Sequence, residues 1–322
     1  MRPRDLSDHV EYRAGRGIEE VARELGRDPE EFVKLASNEN MFGPSPAAVD
    51  AVEASADEVH HYPTADHQDL TAAIADAWDV TAEQVWLANG GDGALDYLSR
   101  AALEPGDAVL VPAPGFAYYG MSARFHHGEV AEYDVTSDDG FALTTDAVLD
   151  AYDGERIVHL TSPHNPSGAR FTLDAIERIA GETHEETLVV VDEAYGEFAD
   201  APSAIGLLDQ RDDVAVLRTF SKAYGLAGLR IGYALVPEAW ADAYAKVSTP
   251  FAASEAALRA AMAALDDEAH VEKSVESAAW AREHIHEQLE APTFDSEANF
   301  VLCAVGDGGA VAEAAQQEGV IV

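Results

Sequence analysis

Cysteine is almost missing: Cys303 is the only one in 322 residues. No internal disulfide is available, and a zinc knuckle built on paired cysteines is excluded. Positive charge is scarce as well, with Lys+Arg 20 against Asp+Glu 60 and a formal net charge of −40. A surface this acidic does not hold a nucleic-acid backbone, which needs Lys/Arg neutralisation. Anionic membrane surfaces are excluded on the same ground. No stretch reaches the roughly 20 apolar residues of a membrane span. The start, Met1 to Asp5, carries charge rather than an apolar leader stretch, so a soluble, cytoplasmic protein is expected.

The scarcities have a common sense. At 47% hydrophobic the chain can bury a core, so it is not a disordered acidic tail. The charge lies far outside the magnitude of about 2–8 that suffices for solubility. Self-repulsion destabilises such a compact state in dilute buffer, and concentrated salt screens it. The composition looks like that of a cytosolic protein of a salt-accumulating halophile, with a merely acidic mesophilic enzyme as the alternative. Lysine is the scarcest cation, present only at Lys34, Lys222, Lys246 and Lys273. Lysine can lose its proton and act as a nucleophile, which arginine cannot. Each surviving lysine is therefore a candidate for chemistry; three of them also read as plain surface residues.

The middle of the chain alternates short apolar runs with amphipathic stretches. Strands are expected at 84–88, 108–111 (ended by Pro112), 156–160, 188–191, 214–217 and 229–236, and helices at 94–103 and 173–180. Uninterrupted apolar strands between helices predict an α/β fold with a mostly parallel sheet covered on both faces. Nearer the ends, helices are expected at 18–25, 255–265, 274–289 and 310–318, an extended piece at 32–36 and a strand at 298–305. This divides the chain into an N-terminal arm with part of a small domain (1–42), a large domain (43–236) and a C-terminal small domain (237–322).

Four loops carry candidate chemistry. The run Leu188-Val189-Val190-Val191 delivers Asp192 to the C-terminal end of a strand, where open parallel sheets bind ligands. A nucleotide-triphosphatase carboxylate there would need a G-x-x-x-x-G-K-[ST] loop, and the chain has no Gly-Lys pair. The remaining reading is an aspartate facing a cationic ligand nitrogen. Lys222 follows the Thr219–Ser221 turn, with glycines at 225, 228 and 232 and Arg230 close behind. A lysine for an aldehyde beside Ser, Thr and Arg for a phosphate is the equipment that pyridoxal phosphate (PLP) requires. Asn165 lies in Ser162-Pro163-His164-Asn165-Pro166-Ser167-Gly168, which alone is only a turn. Asn89-Gly90-Gly91-Asp92-Gly93 joins a strand to a helix and offers backbone N–H groups to an anion, without fitting the dinucleotide fingerprint. The histidine pairs 60/61, 126/127 and 284/286 lack cysteines or carboxylates at ligand spacing, so no metal is expected.

Together these blocks resemble the histidinol-phosphate aminotransferase family of the fold-type I, PLP-dependent aminotransferases. The resemblance rests on S-K-A-Y-G-L-A-G-L-R-I-G-Y at 221–233, V-V-V-D-E-A-Y-G-E-F at 189–198 and S-P-H-N-P-S-G at 162–168. The N-E-N-M-F-G-P-S-P stretch at 38–46 and Y-R-A-G-R-G-I-E-E at 12–20 extend it. It implies transamination of histidinol phosphate with 2-oxoglutarate, giving imidazole-acetol phosphate and glutamate. Lys222 would bind the PLP aldehyde and move the proton; Asp192 would face the pyridine nitrogen; Tyr195 and Asn165 would bond the ring oxygen. Gly91, Asp92, Thr219, Ser221 and Arg230 would hold the phosphate, and Phe116 would stack on the ring. Tyr62 would reach the neighbour's phosphate across a homodimer interface, and Tyr12 and Asn40 would lie near the substrate.

The family's last strand leads into an arginine, and a later G-L-P-x-x-L-R-I strand supplies another; neither follows Val320-Ile321-Val322 here. The expectation is a small domain cut short, with cofactor binding kept and turnover weakened. Three other outcomes stay open: an aromatic amino-acid aminotransferase, an amino-acid-phosphate decarboxylase, and a catalytically impaired PLP-binding partner subunit.

Overall fold

The computed structural model describes residues 5–12, 15–64 and 67–322. Met1–Arg4 of the charged start, and Arg13 and Ala14 of the 12–20 motif, lie outside the described residues. In chain order the strands are β1 (Val33–Lys34), β2 (Val85–Ala88), β3 (Ala108–Ala113), β4 (Glu129–Asp134), β5 (Ile157–Thr161), β6 (Leu188–Asp192), β7 (Val214–Thr219), β8 (Gly232–Leu235) and β9 (Val320–Ile321). The first helices are α1 (Ile18–Leu25), α2 (Pro46–Ser55), α3 (Gln68–Trp78), α4 (Gly90–Ala102), α5 (Tyr118–Phe125), α6 (Thr145–Ala151) and α7 (Leu173–Glu182). They are followed by α8 (Tyr244–Val247), α9 (Glu255–Leu265), α10 (Glu268–Gln288) and α11 (Gly308–Gln317).

Seven strands form one sheet in the order β2-β8-β7-β6-β5-β3-β4. Only β8 runs against its neighbours, pairing antiparallel with both β2 and β7. The α/β architecture expected from the apolar runs is the one observed. Side chains alternate across the sheet, so each strand feeds two cores. Val189, Val191, Val214 and Val216 join a core shared with α2, α3, α7 and α9. Leu188, Val190, Ala215 and Leu217 join the opposite core, shared with α4, α5 and α8. Fully burying such a side chain is worth about 1.5–3 kcal/mol. That is why these strands show no polar alternation and why they could be recognised as apolar runs.

Local signals set several helix starts. Ser45 accepts from the Ala48 N–H ahead of Pro46, and Thr144, Thr172 and Ser254 cap α6, α7 and α9 in the same way. The chain ends meet: β1 pairs with β9, and Val21, Ala22, Phe32 and Ile321 form a small separate core. Asn299 Nδ2 donates to the Asn38 carbonyl and ties the C-terminal part to the N-terminal arm.

Three expectations need correction. Pro112 does not end its strand: β3 runs on to Ala113, paired with β4 alone, where a missing N–H is tolerated. The stretch 298–305 is not a strand, because its apolar residues find no partner strand beyond the single Thr293–Cys303 bridge. Residues 229–236 divide, with a 3-10 turn at Ala227–Leu229 before the strand proper begins at Gly232.

Candidate active site

The sheet's C-terminal edge opens on a cavity of about 500 Å³, on the face covered by α4 and α5. Asp192, Lys222, Asn165, Tyr195, Thr219, Ser221, Arg230, Gly91, Asp92, Phe116 and Tyr12 all line it. Two of the residues singled out in the sequence do not. Tyr62 is 82% exposed and stacks on Phe251 at 4.6 Å. Asn40 is used internally, its amide donating to the Ala223 carbonyl at 2.7 Å and to Ser274 Oγ at 2.9 Å. Its neighbour Asn38 reaches the cavity instead and donates to the Tyr195 hydroxyl at 3.2 Å.

Lys222 is half-buried, and its ammonium donates to the Ser37 carbonyl at 2.9 Å. Burial pushes the amine down to about 8, against the opposing pull of Glu39. Asp192 is 4% exposed. Burial pushes its carboxyl up to about 6, although the Tyr119 hydroxyl and the Ala194 N–H both favour the charge. Tyr195 accepts from Asn165 as well, at 3.3 Å, and burial takes its phenol up to about 12. These perturbed groups share one cleft, as in sites that move protons.

A second set of residues lining the cavity suits an anion. Helix α4 starts at Gly90, earlier than periodicity indicated, so the glycine run forms its first turn. The Asn89 side chain makes no cap hydrogen bond, which leaves the first amides of a 13-residue helix unspent by a cap. Thr219 donates to Ser221 Oγ at 2.9 Å, and Arg230 reaches Asp92 Oδ2 at 3.1 Å. Gly90 has φ +77, and any side chain there would collide with the Arg230 guanidinium. Gly225, at φ +71, packs against the Gly43 carbonyl, where a Cβ has no room.

Two loops that meet at the site are joined by His164. Its Nε2–H donates to the Pro114 carbonyl at 2.9 Å, so Nδ1 accepts from Ser167 at 2.8 Å. Burial takes the imidazole down to about 4 and keeps it neutral. Phe300 meets the Tyr195 ring edge-on at 5.1 Å.

Residues 30–322 match the family model described as aminotransferase class I and II. The chain belongs to that family. Among class I and II aminotransferases, it is 68% identical to the histidinol-phosphate aminotransferase of Haloarcula marismortui, an alignment covering 100% of this chain and 89% of the relative. The Halobacterium salinarum histidinol-phosphate aminotransferase is 67% identical over 100% of this chain and 90% of the relative. The crystal structure of the Sinorhizobium meliloti histidinol-phosphate aminotransferase in complex with pyridoxal-5'-phosphate superposes with a TM-score of 0.88 at 28% identity, covering 100% of this chain and 88% of that one. The fold is therefore that of the fold-type I aminotransferases. Among the described residues, no helix is long and apolar enough to cross a membrane.

Proposed function

We infer that the chain is a PLP-dependent aminotransferase that moves the amino group of histidinol phosphate to 2-oxoglutarate, giving imidazole-acetol phosphate and glutamate. The observation that carries this reading is the identity of 68% over the full chain to a relative of that name, joined to a cavity whose donor set fits the cofactor. The fit is chemical. A lysine amine, an aspartate carboxylate and a ring-oxygen donor pair (Asn165, Tyr195) line the cavity together with an uncapped helix N-terminus, Ser221, Thr219 and Arg230. When bound, PLP supplies an aldehyde that takes the donor's amino group and a pyridine ring that withdraws the electrons of its broken C–H bond.

Lys222 would accept that proton at Nζ and return it to the neighbouring carbon. With its pKa near 8 the amine is partly unprotonated close to neutrality, whereas an ordinary lysine is almost wholly charged. Asp192, ionised above about pH 6, would hold a proton at the ring nitrogen. Asn165 and Tyr195 would orient the ring oxygen, and Phe116 would cover one face of the ring. Gly91 and Asp92 amides, Thr219, Ser221 and Arg230 would bind the phosphate, while Tyr12 borders the substrate side. Asn40, with its amide occupied, would support the Lys222 loop through Ala223.

Exposed Tyr62 belongs to the same proposal: in a homodimer it would reach the partner's phosphate. The division at residues 42 and 236, and a place in the cytoplasm, are part of it too. A net charge of −40 and relatives from halophiles fit a protein that works in concentrated salt.

Amino-donor profiling tests the reading. With 2-oxoglutarate as acceptor, kcat/KM for histidinol phosphate should exceed that for phenylalanine by on the order of 10²-fold or more. Equal values would point to an aromatic aminotransferase. Release of CO₂ from an amino-acid phosphate would point to a decarboxylase, and no turnover of any donor to an impaired partner subunit.

A further inference from the structure

One buried hydroxyl at the site has no part in the steps above. Tyr119 is 1% exposed, and its O–H donates to Asp192 Oδ2 at 2.6 Å. The same oxygen lies 2.7 Å from Thr161 Oγ1. A phenol has one proton to give. With that proton on the carboxylate, the Thr161 hydroxyl is the donor of the second bond and the Tyr119 oxygen its acceptor. The chain Thr161 to Tyr119 to Asp192 thus runs in one direction, and each bond polarises the next.

The carboxylate is gripped at both oxygens. Oδ1 accepts the Ala194 N–H at 2.9 Å. The phenol ring is itself held, stacked on His159 at 4.5 Å and 12°, and meeting Phe116 edge-on at 5.5 Å. Burial takes His159 down to about 3, so this imidazole is neutral and offers Asp192 no competing cation.

We propose that Tyr119 is a positioning residue of the reaction: the Thr161–Tyr119 hydroxyl chain fixes the Asp192 carboxylate in the orientation and the ionised state that a pyridine nitrogen requires. The inference rests on the cofactor reading and is indifferent to which amine is the donor. Its physical basis is the opposition between burial, which favours the neutral acid, and a short bond donated to the charged form, which favours the anion. The other charged and titratable groups that act on Asp192 are Asp92 on α4, Glu193 and Tyr195 after β6, and Lys222 after β7. Asp92 and Glu193 push the carboxyl up. The Tyr119 hydroxyl therefore counters both burial and like charge.

Tyr119→Phe removes the hydroxyl and keeps the ring on His159. In the cofactor-free full chain, carboxyl NMR of labelled aspartate should show Asp192 titrating about one pH unit higher, a tenfold change in its proton affinity. Titration with PLP at pH 6 should show a dissociation constant raised about fivefold, with the gap closing at pH 9, where Asp192 is ionised in both proteins. Thr161→Val should move both readouts the same way by less. An Asp192 titration and a PLP dissociation constant both within twofold of wild type would overturn the proposal. Should Tyr119→Phe not fold, an unchanged Asp192 titration in folded Thr161→Val overturns it equally. If the wild-type chain itself fails to bind PLP, the cofactor reading falls, and the Asp192 titration still judges the hydroxyl chain.

Discussion

Asp192 and Glu193 are adjacent in sequence and face opposite sides of the sheet, as do Arg218 and Thr219 one strand over. On the α7 side, Arg218 meets Glu193 at 2.7 Å and Glu197 at 2.6 Å, with its guanidinium 4.6 Å from the centre of the Trp78 ring. Burial works against that charge, and the two carboxylates outweigh it, so the guanidinium is held more firmly protonated than usual. On the α4 side, the ammonium of Lys222 is hydrogen-bonded to a backbone carbonyl, and Asp192 has a phenol and an amide. There burial wins, taking the lysine down to about 8 and the aspartate up to about 6. The two clusters differ in pairing rather than depth. Paired charges pin the segment after β6 to strand β7; unpaired ones carry a cost in stability and are poised to exchange protons.

The sharpest break of this contrast is Lys222→Ala. Transamination should fall by several orders of magnitude, measured as glutamate formed, while the circular dichroism of the folded chain stays unchanged. On the other face, Arg218→Ala should destabilise the protein by about 3–5 kcal/mol in denaturant unfolding, because it strands Glu193 and Glu197 without a cation.

The pH dependence of the cofactor-free chain gives a smaller effect of defined sign. Folded Asp192 binds its proton more tightly than the unfolded residue, so its contribution to stability is full below about pH 4 and is lost as pH rises to about 6. Folded Lys222 binds its proton less tightly, so stability recovers as pH rises from about 8 to about 10.5. Each pH unit of difference is worth about 1.4 kcal/mol. Asp192→Asn should flatten the first window in stability measured against pH, and Lys222→Met the second.

Much of this could be seen in the sequence, for physical reasons. Strands buried on both faces must be apolar throughout, which exposed β5, β6 and β7 and so located Asp192 and the Thr219–Lys222 turn. A chain with four lysines made the one in S-K-A-Y-G conspicuous. What could not be read depends on contacts between distant segments. Tyr119 is a buried aromatic whose hydroxyl meets Asp192 from a segment 73 residues away, a contact its own position three residues after Phe116 does not state. Asn38 and Asn40 share one motif, and only the turn at Asn38, with φ +51, decides which amide faces the cavity. Arg218 lies within β7, which runs two residues past the expected 214–217, and its glutamates come from a loop whose path the sequence does not state. Residues 298–305 had the apolar content of a strand and lacked the one thing no single segment encodes, a neighbour to pair with.

Lys222→Met and Arg218→Met, compared side by side in the cofactor-free chain at pH 7, test the contrast most directly. The measurement is unfolding free energy, with borohydride fixation of PLP to the protein as the companion readout. Lys222→Met should be as stable as wild type or more so and should fix no cofactor. Arg218→Met should lose several kcal/mol, and the folded fraction should still fix it. A Lys222→Met protein destabilised as much as Arg218→Met would contradict the account.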